Sequence, residues 1–169
     1  MNDYPDDLRV LYFEFGRTAE MAQVMEVEAG NLALSFVSLA FDPSKITVEE
    51  RRFFKVIIDD VNSRTFGSLL KQIRKIGSVS EDVEKIINEA LEKRNYLVHR
   101  FFRNHNLQIH SEEGRKEMRT ELEEIYELLN RAHATLSGMT DTLNQIFDRP
   151  NISQEEAIKR MSEGKRIEI

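Results

Sequence analysis

The sequence predicts an all-α fold, an antiparallel up-and-down bundle of four to five helices that begins with a long N-terminal helix. Three observations lead there. Apolar residues recur at spacings of three and four over most of the chain, the period of a helix with one buried face. Alternating β-branched runs and hairpin dipeptides are missing, so strands are not expected. Prolines occur only at positions 5, 43 and 150, and nothing between 44 and 149 forbids helix.

Each element has its own start, stripe and stop. The first helix is expected over about Asp6 to Phe41, with Leu8, Leu11, Phe15, Ala19, Ala22, Met25, Ala29, Leu32, Phe36 and Leu39 on its apolar face. Gly16 and Gly30 are the places where it can break or kink, and Pro43 ends it. The second helix opens with a capping box, Thr47 with Glu50, runs through RRFFKVIIDDV and breaks around NSRTFG. A shorter piece, GSLLKQIRKI, stops at Gly77. Ser80, followed by Glu81 and Asp82, starts the next helix, where acids suit the positive end of the helix dipole. After a loop near NHNLQIHSEEG, Met118, Leu122, Ile125, Leu129, Ala132 and Leu136 open a seam that continues to Ile146. Residues 1–149 are thus expected to form a single helical domain, and 150–169 a polar tail with one short helix.

Composition narrows the function classes. A chain of 169 residues suits one domain with a sizeable core, and 40% hydrophobic with 32% charged residues fits a folded rather than a disordered chain. The net charge of -6 argues against general affinity for nucleic acid or membrane, though a local patch can defy the average. No apolar run reaches the roughly 20 residues that a bilayer span requires. The acidic start, MNDYPDDLRV, lacks the basic and apolar regions of a signal peptide. With no cysteine, disulfide and thiolate chemistry are excluded, and a cytoplasmic location is expected. No cofactor or metal is expected either. The chain carries neither a glycine-rich phosphate fingerprint, nor a Glu-x-x-His pair, nor a His-Glu-x-x-His motif.

One residue breaks the pattern. The stripe Val83, Ile87, Ala90, Leu97, Phe101 has its inward slot at position 94 filled by arginine. An unpaired buried charge costs several kcal/mol, so Arg94 needs a partner unless its stem snorkels to an edge. Asn95 and His99 lie four apart on one face, where a hydrogen bond between them is natural. Arg94 and His99 diverge by roughly 140° around the helix, so one helix cannot aim both at one point. Two copies across a twofold axis can, and a homodimer is expected on that ground. Charge is also local. From Lys93 to Ser111 there is no acid, while Lys93, Arg94, Arg100 and Arg103 are basic and His99, His105 and His110 fall inside. A second acid-free stretch, Val61 to Ser80, carries Lys71 and Arg74 among its bases. Together the two stretches are candidates for a groove that holds a phosphate backbone.

Arg94, Asn95 directly after it, and His99 resemble the R-x4-6-H signature of the HEPN superfamily. The resemblance covers this motif and, loosely, the helical layout of residues 45–147. It implies a small helical bundle acting as a dimer, and a metal-independent ribonuclease. Carried onto this chain, it implies Arg94 on the scissile phosphate, His99 as acid or base at the ribose 2'-hydroxyl or the leaving oxygen, and Asn95 orienting it. In-line attack by a 2'-hydroxyl needs a group that titrates near neutrality and a cation on the phosphoryl oxygens, which is this set. Toxin-type members often carry a modifiable tyrosine two places after the histidine, and this chain has Phe101 there. The alternative is a non-catalytic helical interaction or regulatory module. In it Arg94 and His99 are structural, Arg94 paired with a core carboxylate such as Asp59 or Asp60, and the same residues hold the dimer or a protein partner.

Overall fold

Leu11, Met25, Ala29 and Leu32 are fully buried, as their spacing requires, on a helix of 33 residues, α1 (Asp6–Ser38). The chain is described by a computed structural model over residues 5–38, 47–63, 67–68, 71 and 80–146. Both glycines that could have broken α1 lie within one continuous helix. Burial of its inner face outweighs a propensity cost of about 1 kcal/mol for each. Thr18, the one buried polar residue of the described core, returns its hydroxyl to Glu14 O at 2.8 Å.

Thr47 directly precedes α2 (Val48–Ser63), which packs on α1. The side chain of Glu50, Gly77 and most of the short third piece lie outside the described residues, although Gly67, Ser68 and Lys71 are helical. Ser80 caps α3 (Glu81–His99), its hydroxyl accepting from Val83 N at 3.4 Å. The expected helix does not run unbroken into Phe101. It stops at His99, Arg100 takes φ -131° and ψ -21°, and a single turn, α4 (Phe101–Asn104), restarts it. Even so, Phe101 remains in the buried stripe with Ile87, Ala90 and Leu97. A 3-10 turn at Gln108–His110 leads into α5 (Glu112–Ile146), whose seam is buried from Met118 to Leu136 and exposed by Ile146.

Ion pairs fix how the long helices run. Asp7 pairs with Arg115, Glu14 with Arg119, Arg17 with Glu123, and Glu28 accepts from Thr140. Partners climb together, so α1 and α5 are parallel neighbours. By contrast Glu26 meets Arg94 while Phe15 meets Phe101, which sets α3 and α4 antiparallel to α1. Two positive helix ends therefore lie side by side, and Asp6, Asp7, Glu112 and Glu113 occupy them. The result is the expected all-α bundle with its long N-terminal helix. No strand occurs among the described residues, and no helix there is long and apolar enough to cross a membrane.

Candidate functional site

Arg94 occupies its inward slot as the stripe predicts, and a carboxylate on α1 receives it. Its guanidinium reaches Glu26 at 2.8 Å and donates to Asn95 Oδ1 at 3.1 Å. Arginine and glutamate keep 23% and 25% of their side chains exposed, so the pair lies at the edge of the core. A charge placed there keeps part of its hydration while its stem covers apolar surface. The arginine Nε is buried with no partner among the described residues. Asp59 and Asp60, the carboxylates suggested by sequence, are exposed residues of α2, whereas Glu26 faces α3 directly.

His99 does not join them. It is the last residue of α3 and is exposed, with no bond to Asn95 among the described residues. The expected Asn95–His99 hydrogen bond is absent among the described residues, and Asn95 Oδ1 accepts from Arg94 instead. A single chain therefore brings Arg94 and Asn95 together and leaves His99 apart. Of the candidate phosphate-binding residues, Lys93, Arg100, Arg103 and Lys71 are all exposed. The Lys93 ammonium lies 5.5 Å above the Tyr96 ring, within cation–π reach. Arg74 lies outside the described residues.

Sequence reasoning missed a second constellation on the opposite flank of α3. Nε2 of His105 lies 2.6 Å from Glu121 Oε2, and the Tyr96 hydroxyl is 3.4 Å from the same oxygen. A carboxylate can only accept, so both the imidazole N–H and the hydroxyl donate to it. At 3.3 Å from His105 Nε2, the Tyr96 hydroxyl oxygen is also placed to accept from the same imidazole N–H. His105 Nδ1 is buried without a partner among the described residues, and the ring packs on Phe101 at 4.8 Å. Burial first, then the charge and hydrogen bond of Glu121, raise the Tyr96 pKa above its usual value, with Asn104 opposing. Such a tyrosine stays protonated near neutrality and is no nucleophile. The cluster ties the turn after α3 to α5. Its only sequence signal was the group of three histidines in the acid-free run, because a loop residue carries no periodicity that could point to Glu121.

Phe101, two places after His99, is a core residue among Phe15, Tyr96 and Phe102. No group of three or more potential metal ligands occurs among the described residues. The chain matches no known family model, no curated protein and no solved structure.

Proposed function

We propose that this chain is a non-catalytic helical interaction module, in which Arg94 and Asn95 belong to the internal frame. One observation carries the reading: the Arg94 guanidinium is engaged by Glu26 of the same chain at 2.8 Å. A phosphate reaching that guanidinium would have to displace a carboxylate already within charge-assisted hydrogen-bond distance, leaving Glu26 half-buried without its cation. His99, about 140° away on the helix, offers no second group at that point.

An RNA-binding dimer of the HEPN kind is the second reading, and a separate observation favours it. His99 closes α3 with an exposed ring that has no partner among the described residues, and Arg100 and Arg103 are exposed just beyond it. In that reading two chains share a cleft. There Arg94 turns from Glu26 to the phosphate, and His99 takes the 2'-hydroxyl proton or gives one to the leaving oxygen. One experiment separates the two. Purified protein and its His99→Ala variant are incubated with total RNA in EDTA. The module reading expects no cleavage by either. Cleavage that survives chelation and vanishes in the variant overturns it, and salt-dependent binding without cleavage leaves an RNA-binding module.

A further inference from the structure

The outer side of α1 carries a stripe that the described helices leave uncovered. Val10, Phe13, Arg17, Glu20, Val24 and Val27 follow one another at alternating spacings of three and four, along one side of the helix. Phe13 is 71% exposed, Val27 62%, Val24 41% and Val10 37%. Single exposed apolar residues are ordinary, but four on one line with a cation and an anion between them are not isolated.

The order of the stripe reads the same in both directions, with the charge sign exchanged at its centre. Two apolar residues come first, then arginine, glutamate and two apolar residues. When such a stripe packs antiparallel against its own copy about a point between Thr18 and Ala19, Val10 meets Val27 of the second copy, Phe13 meets Val24 and Arg17 meets Glu20. Every contact then recurs on the other side of the axis, as a closed twofold interface requires. A parallel pairing would set Arg17 on Arg17 and Glu20 on Glu20, so the charges specify the antiparallel arrangement. Arg17 leans toward α5, where Glu123 engages it, Tyr126 lies 4.2 Å beneath its guanidinium and its Nε is buried. Yet 37% of the side chain is exposed, and the outer N–H donors of its fork can serve a second carboxylate. On the same side Gly16 lies open, since a Cβ built there meets nothing within 4 Å, and a second backbone can approach closely.

We infer that this α1 stripe is a homodimer seam whose occupant is a second, antiparallel copy of the same helix. The inference rests on the interaction-module reading and names its partner. His99 sits on the outer side of α3 rather than on this stripe, so a dimer made here does not form the shared cleft of the ribonuclease reading.

Sedimentation of the full chain across the micromolar range tests the seam. A dimer is expected, and Glu20→Arg, which opposes two arginine pairs, should raise its dissociation constant by about tenfold or more. Thermal melts of the monomer should not change, because Glu20 is exposed. The chain has no cysteine, so Phe13→Cys with Val24→Cys should give a covalent dimer on oxidation and His99→Cys should not. A monomer at all concentrations, or a dimer indifferent to Glu20→Arg, overturns the inference. The first of these leaves the stripe to a helix of another protein, with the module reading intact. Cross-linking through His99→Cys overturns the inference in favour of the shared cleft, and RNA cleavage by an intact α1 dimer overturns the module reading alone.

Discussion

Removing the charge of Glu26 tests what Arg94 is for. At the observed 2.8 Å separation, the attraction between unit charges is about 6 kcal/mol at an effective dielectric near 20. Most of that is offset, because each side chain has given up about three quarters of its exposure. Hydrogen bonds to charged groups keep about 1.5–3 kcal/mol net, so about 2 kcal/mol is the expected loss in Arg94→Ala or Glu26→Ala. For a chain of this length that lowers Tm by about 4–8 °C. Neither single variant isolates the pair, since each strands the other partner. Urea melts of both variants and of the double variant do, and the coupling should be about 1–2 kcal/mol. His99→Ala should stay within about 0.5 kcal/mol of the parent, as befits an exposed side chain. A coupling near zero, with Arg94→Ala as stable as the parent, would refute the assignment of Arg94 to the frame.

Two further predictions concern the end of the bundle where α1 and α5 begin. A Cβ on Gly114 would stand 2.3 Å from Gln108 O and 2.6 Å from its Cα, both backbone atoms that no rotamer can clear. Gly114→Ala should therefore cost about 1–3 kcal/mol in denaturant melts, whereas Gly138→Ala, with nothing within 4 Å, should stabilise by up to about 1 kcal/mol. The hydrogen bond from Arg115, at 2.5 Å, holds the Asp7 carboxyl below its ordinary value of 3.8. A depressed folded-state pKa contributes stability that is present above pH 3.8 and lost as pH falls through the lowered value. Asp7→Asn should accordingly flatten the fall of the urea midpoint on acidification below that pH. An unchanged acid limb would remove Asp7 as its source.

Local periodicity reveals which way a side chain faces but not what it meets there. The stripe of α3 placed Arg94 inward correctly, and the seam of α5 is buried from Met118 onward. Glu26, by contrast, was invisible in the sequence. It is one of several acids on α1, and only the antiparallel course of α3 selects it. Parallel α1 and α5 were hidden for the same reason, because alternation along a chain does not state which passes become neighbours. His105 and Glu121 meet through a turn without a repeat, so no stripe could have paired them. The break at Arg100 left no trace either, because Phe101 keeps its place in the stripe across it.

Arg94 looks anomalous only while its own helix is considered. Among the described residues, Arg115 bridges α5 to Asp7, Arg119 to Glu14 through two nitrogens, and Arg17 bridges α1 to Glu123. Arg94 joining α3 to Glu26 is a fourth instance of one device. Each arginine stands beside an apolar seam and hands its fork to a carboxylate of a neighbouring helix. Such pairs add little as isolated surface contacts, yet their fixed geometry penalises a slip of one helix along another. Apolar seams with a repeating period tolerate slips of a whole repeat, and the bridges remove that freedom. A cause that accounts for four arginines at once accounts for Arg94 without assigning it a substrate. What it leaves unexplained is His99, whose exposed ring contributes to no bridge among the described residues, and the outer stripe of α1, which no described helix covers. Those two surfaces, rather than the arginine that first breaks the pattern, are where a partner of this protein should be sought.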